Sequence, residues 1–157
     1  MYSLDVEEKT QNKIKQNVIL NSGNPKYNYK DLKKEYLENK GYTINDYGCF
    51  SEESVDYPDF AHQLAESIKK ENSDIGIQFC GTGNGINMSA NKHSQIRAAL
   101  CWNPHIAEQA RLHNNANVLT MPARHLQWNE VKEIIDVFLS SEFEGGRHQR
   151  RVNKISI

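Results

Sequence analysis

A chain of 157 residues with 38% apolar and 25% charged residues suits one globular domain, and its formal net charge of -1 excludes bulk attraction to nucleic acid or an anionic membrane. Any anion recognition must therefore rest on local charge. Cys49, Cys80 and Cys101 are well separated, with no C-x-x-C pair, and no run of about twenty apolar residues occurs, so a cytoplasmic protein without membrane spans is expected.

Residues 1–16 are polar and of mixed charge, an extension without the apolar run of a signal peptide, and residues 17–157 read as a single domain. Asn17 to Ser22 supply a first strand, which Gly23-Asn24-Pro25 ends. Tyr29, Leu32 and Tyr36 recur at helical spacing before Gly41, which suits a helix stop. Tyr42, Ile44 and Asp46 open a second extended segment, followed by a polar loop. Pro58 and Asp59 fit the first turn of a helix whose apolar face is Phe60, Ala61, Leu64, Ala65 and Ile68.

Ile75, Ile77 and Phe79 form a short strand that can be buried, and it runs straight into Cys80-Gly81-Thr82-Gly83-Asn84-Gly85. Three glycines in five positions allow close approach of backbone to a ligand, and a helix start follows. Strand, glycine turn and helix in succession is the geometry in which backbone N–H groups collect negative charge. Cys80 at its mouth is a candidate base or nucleophile. The same pattern also describes a tight structural turn with a buried cysteine, and the lysine of an NTPase phosphate loop is absent. Ile96 to Cys101 read as a further buried strand, Pro104 opens a helix with Ile106, Ala107 and Ala110, and Asn117 to Met121 form a fifth strand. Val131, Ile134, Ile135, Phe138 and Leu139 mark a long amphipathic helix. Five strands separated by helices predict an α/β fold, a parallel sheet covered on both faces.

Residues 145–157 carry Arg147, Arg150, Arg151 and Lys154 but no acid. Such a basic tail has few bulky apolar residues with which to fold on itself, but it can carry guanidinium groups to another subunit. Read as a nucleic-acid patch, its footprint is small and no aromatic residues interleave it. His62, His93, His105, His125 and His148 lack metal-ligand spacing.

Four separated motifs, Cys80 to Asn91, Ile96 to Ala99, Leu112 to Leu119 and Phe143 to Val152, with Asp56-Tyr57-Pro58 upstream, resemble the ribose-5-phosphate isomerase B family, which also holds galactose-6-phosphate isomerase subunits. The resemblance implies a Rossmann-like three-layer fold with five parallel strands and a metal-free, cofactor-free aldose–ketose isomerisation of a sugar phosphate. It also implies homodimers or tetramers with shared active sites, reached by the C-terminal tail. Carried over, Cys80 is the base moving a proton between C1 and C2. Gly81, Thr82, Gly83, Asn84 and Gly85 form the loop whose amides hold the enediolate oxygens. His113 serves sugar-ring opening with Asn114 beside it, and Tyr57 lines the pocket. Arg124 binds phosphate, and Arg147 and Arg151 reach it from the neighbouring subunit. Where the family has Ser-Asp-His-Ala-Gly after its first strand, this chain has Ser22-Gly23-Asn24-Pro25-Lys26, so Gly23 and Asn24 replace an aspartate and a histidine that assist the substrate. That departure opens a second reading, a sugar-phosphate-binding or regulatory subunit of weak activity. A nucleotide-binding α/β protein is the third, although neither a spaced acidic ribose reader nor a phosphate-loop lysine is present.

Overall fold

The computed structural model describes residues 17–21, 23–24, 30–71 and 75–157. The expectations for residues 1–16, Ser22, Pro25, Lys26 and Tyr29 lie outside them. Five strands, β1 (Asn17–Asn21), β2 (Thr43–Asp46), β3 (Ile75–Cys80), β4 (Ala98–Leu100) and β5 (Val118–Pro122), form one sheet in the order β2-β1-β3-β5-β4. Every pairing is parallel. The described helices are α1 (Lys30–Asn39), α2 (Tyr57–Glu71), α3 (Asn84–Ala90), α4 (Pro104–Asn114), α5 (Trp128–Ser140) and α6 (Arg147–Val152).

Apolar residues on both sides of the strands require cover on both faces. Val18, Leu20, Ile75, Ile77, Leu119 and Met121 pack with Leu37 of α1, Ala107 of α4 and Phe138 of α5 on one face. Ile19 and Val118 meet Ala61, Leu64 and Ile68 of α2 and Ile86 of α3 on the other. The helices change face whenever the chain reverses direction across the sheet. Thus β1 to β2 and β4 to β5 run one way with α1 and α4 on the first face, while β2 to β3 and β3 to β4 run the other way with α2 and α3 opposite. This is the alternation that right-handed crossovers require. The periodicity of α5 holds: Val131, Ile134, Ile135 and Phe138 are fully buried, each contributing roughly 1.5–3 kcal/mol. At Gly76 an added Cβ would lie 2.7 Å from Leu64 Cδ2 and 2.9 Å from Ile68 Cδ1, so the missing side chain lets α2 seat closely on β3.

Three expectations need correction. In α1 the inward face is not the Leu32 stripe: Leu32 is 44% exposed, whereas Lys33 is buried with Leu37 one turn on. Its Nζ sits 4.1 Å from the centre of the Phe79 ring, a cation–π contact. The strand read over 96–101 pairs only over Ala98–Leu100 and is half-buried, because β4 is the edge strand. Its outer side is occupied by the amide of Asn91, which donates to the Ala98 carbonyl and accepts from the Ala98 N–H, both at 2.8 Å. The basic tail, finally, does fold on the domain: Arg147–Val152 are helical and His148 is buried.

Candidate active site

The sheet has a topological switch between β1 and β3, since the chain leaves β1 for β2 on one side and returns to β3 on the other. In open α/β sheets that is where loops diverge and leave a crevice at the carboxyl ends of the strands. A cavity of about 210 Å3 lies there. Asn21, Gly23 and Asn24 line it from the end of β1, and Cys49 from beyond β2. Tyr57 and Phe60 enter from the start of α2, Phe79, Cys80 and Gly81 from the end of β3, and Arg124 from beyond β5. Of the expected site residues, the cavity therefore unites Tyr57, Cys80, Gly81 and Arg124 with the departed positions Gly23 and Asn24.

Backbone pairing explains how Arg124 comes to Cys80. The Cys80 carbonyl accepts from Ala123 N–H at 2.8 Å and the Gly81 carbonyl from Arg124 N–H at 3.1 Å, so the chain beyond β5 zips onto the loop beyond β3. A Cβ at Gly81 would lie 3.1 Å from both Cζ and Nε of Arg124, which means the guanidinium rests on the bare glycine. Gly85 plays the same part for Tyr57: a Cβ there would lie 2.6 Å from Cε2 of the ring. Gly83 has φ 79 and precedes α3, a conformation that disfavours any residue with a side chain. Thr82 and Asn84 are exposed on the loop, with Thr82 Oγ1 accepting from Asn84 N–H at 3.4 Å. Cys80 is half-buried and opens to the cavity, unlike Cys101, whose thiol burial pushes up to about 12.

At the end of β1 the backbone of Gly23 is tied on two sides. Gly23 takes φ 75, and its N–H donates to Asn21 Oδ1 at 3.2 Å and to the Gly48 carbonyl at 3.4 Å. An added Cβ would lie 3.1 Å from Phe79 Cβ. Asn24 Nδ2 donates to the Glu52 carbonyl at 3.3 Å, so this amide ties the loop to the segment after β2.

His113, Asn114, Arg147 and Arg151 are not in this cavity. Helix α4 leaves the carboxyl end of β4 and runs antiparallel to the strands, so its eleven residues carry His113 roughly 16 Å toward the opposite end of the sheet. There His113 stacks on His148, ring centroids 4.2 Å apart and planes 8° from parallel. The two Nε2 atoms lie 3.9 and 3.4 Å from the same Glu144 oxygen. Burial holds the His148 imidazole below its ordinary value, with His113 and Arg147 adding to the shift and Glu144 opposing it. Ligand atoms of His113, Glu144 and His148 all fall within 4.8 Å of one another. Parallel stacked rings, however, hold their in-plane lone pairs parallel, whereas an ion at about 2.0–2.1 Å needs them convergent. The arrangement is that of a charge-coupled pair rather than a chelate.

Sequence reasoning missed Glu144 and His148 as neighbours of His113, and it missed Asn21, Cys49 and Phe79 as cavity walls. It also passed over Gln78, a polar residue inside an apolar strand, which was the available signal for a buried polar network. Gln78 Nε2 donates to Thr120 Oγ1 at 2.8 Å, and Thr120 donates to Asn87 Oδ1 at 2.8 Å.

Comparison with known proteins bears on family and fold. The family model described as Ribose/Galactose Isomerase matches residues 18–155. Ribose-5-phosphate isomerase B of Escherichia coli is 41% identical over 121 residues, 77% of this chain and 81% of that one. The crystal structure of a ribose 5-phosphate isomerase from Thermotoga maritima superposes with a TM-score of 0.81 at 45% identity, covering 90% of this chain and 96% of that chain. Ribose-5-phosphate isomerase B from Mycoplasma genitalium, solved with bound ribulose-5-phosphate, gives a TM-score of 0.80 at 39% identity over 90% of this chain and 93% of that one. Among the described residues no helix is long and apolar enough to cross a membrane. With nearly the whole domain matched in sequence and in fold, the chain belongs to the ribose/galactose isomerase family.

Proposed function

We propose that the protein interconverts an aldose phosphate and a ketose phosphate, with ribose 5-phosphate and ribulose 5-phosphate as the pair, through an enediolate. In this reading the sugar's C1–C2 end lies against Cys80. The thiolate removes the C2 proton of the open-chain aldose and returns it to C1, while N–H groups of the Gly81–Gly85 loop hold the oxygen that becomes negative. The observation that carries the reading is the meeting of Cys80, the bare Gly81 and the Arg124 guanidinium in one cavity at the switch point. Arginine's planar fork suits a phosphate.

The other half of the expected machinery sits at the far end of the same chain. His113, Arg147 and Arg151 can serve the Cys80 cavity only if a second copy brings them, and the reading therefore includes a homo-oligomer with shared sites. His113 would then move the proton that opens the sugar ring, and the two arginines would close on the phosphate beside Arg124. A coupled assay of the purified protein on ribose 5-phosphate, allose 6-phosphate and galactose 6-phosphate tests the activity. Cys80→Ala should abolish turnover and exchange of the C2 hydrogen with solvent while phosphate binding persists; near-normal exchange in that variant would sink the assignment.

A second reading, a sugar-phosphate-binding subunit of weak activity, is favoured by one observation: Gly23 offers the cavity no side chain and the Asn24 amide is engaged with Glu52. Neither can deliver a proton for ring opening. Tight binding of ribose 5-phosphate with no turnover by the intact oligomer would select it over the isomerase.

A further inference from the structure

We propose that Gln78, Thr120 and Asn87 are positioning residues, a buried tie that holds the Gly81–Gly85 loop in one pose against Cys80. The inference rests on the isomerase reading of the cavity for its catalytic consequence, and on geometry alone for its mechanical one. Gln78 is fully buried in the middle of β3, on the face that packs against α3, two residues before Cys80. Its Nε2 donates to Thr120 Oγ1 of β5 at 2.8 Å and to the Ile86 carbonyl of α3 at 3.4 Å. Thr120 is fully buried as well and passes its own proton to Asn87 Oδ1 at 2.8 Å. Asn87 in turn donates its backbone N–H to the Gly83 carbonyl at 3.1 Å. Two strands, a helix and the glycine loop are thus joined by one chain of bonds.

The chain has a direction. Because Gln78 donates to the threonine oxygen, the threonine proton goes on to Asn87, and the loop carbonyl is met by the backbone of that same residue. Thr120 also reaches the loop directly, since a Cβ at Gly83 would lie 3.3 Å from its Cγ2. Sliding α3 along the sheet, or tilting the loop off β5, breaks these bonds at fixed points, whereas an apolar interface would tolerate small displacements.

As a source of stability the tie is poor. Gln78 Oε1 is buried and meets no hydrogen-bond partner among the described residues, and replacing buried polar partners by apolar groups of like shape is often neutral or stabilising. What the tie supplies is a fixed loop. Donors aimed at a developing oxyanion act only if they are held in place before the reaction, and small misplacements beside a reacting centre are costly.

The test replaces the tie by apolar isosteres, Gln78→Leu with Thr120→Val. The expected result is a melting temperature equal to or above that of the unsubstituted protein, while backbone amides of residues 82–87 exchange hydrogen with solvent at least about fivefold faster. Turnover should fall by about tenfold with KM little changed, the signature of lost transition-state alignment rather than lost binding. Thr120→Ser alone, which keeps the hydroxyl beside an intact Gln78, should hold both exchange and turnover closer to their original values than Thr120→Val alone does. Asn87→Ala, at a half-buried position, loosens the loop from the tie's outer end and serves if the double variant does not fold. Unchanged loop exchange in a folded double variant overturns the proposal, and so does faster exchange with unchanged turnover. Faster exchange in the variant of a protein that isomerises none of the sugar phosphates would instead leave the tie standing and remove the isomerase reading beneath it.

Discussion

At Gly23 the backbone rather than a side chain decides what the β1 loop can contribute. The residue sits at φ 75 with Phe79 Cβ 3.1 Å from where a Cβ would stand, so any L-residue there is strained twice over. Gly23→Ala should lower stability by about 1–2 kcal/mol from the left-handed conformation alone, measured by chemical denaturation. A loss near zero would show that the loop relaxes to a conformation open to side chains. The same strain bears on any attempt to install an acid at this position: a Gly23→Asp variant changes the turn as well as the chemistry. A shift of the backbone at residue 23 would also disturb the hydrogen bonds that its N–H makes to Asn21 and Gly48. Cys80 differs from Cys101 by place, since Cys101 lies outside the cavity, buried with its thiol pushed up to about 12, while Cys49 shares the cavity but is buried.

Helices α4 and α6 are coupled through titratable groups. His148 of α6 is buried beneath His113 of α4, and Glu144, in the segment between α5 and α6, faces both rings. Because burial and neighbouring cations depress the His148 value in the fold, the unfolded chain takes up the proton first on acidification. The stability held by keeping this imidazole neutral is complete above the unfolded value of about 6.5 and is lost as pH falls through the folded value. The melting temperature should therefore decline as pH is lowered from about 7.5 toward 5, and His148→Gln should flatten that decline. An identical slope in the variant would place the acid sensitivity elsewhere. A comparable link pins α2 to the turn after α3, where His62 Nδ1 and His93 Nε2 meet at 2.7 Å and Glu66 stands 3.3 Å behind His93.

The elements most legible in the sequence were those with a strong period or strong punctuation. Three glycines after an apolar run fixed the turn beyond β3, and the spacing in α2 and α5 named their buried faces. Gln78 stood out as a polar residue in an apolar strand, but its partner Thr120 lies far away in the chain and so could not be named from the sequence, and the same holds for the contact of Lys33 with Phe79. The tail helix was missed because its anchor, His148, is not an apolar residue. The separation of His113 from Cys80 was legible in principle: a helix of eleven residues after β4 spans roughly the height of the sheet. Residue types alone list what a site needs without saying at which end of the fold each one stands.

For the whole molecule, the expected site residues are divided between its two ends. Cys80 and Arg124 stand at the carboxyl end of the sheet, and His113 with the α6 arginines stands at the other. On the proposed reading, a single copy would hold two halves of different sites and assembly would be part of the chemistry. If the α6 arginines reach the phosphate as proposed, neutralising Arg147 or Arg151 should weaken binding of a sugar phosphate more than binding of the dephosphorylated sugar. The most direct measurement mixes two crippled proteins, Cys80→Ala subunits and Arg147→Ala/Arg151→Ala subunits, and assays the purified mixed dimer. With sites built across the boundary, one of its two sites lacks both functions and the other retains both, so activity should reappear at about half that of the unsubstituted dimer. A mixed dimer of verified composition and intact fold that stays as inactive as its parents would contradict the shared site.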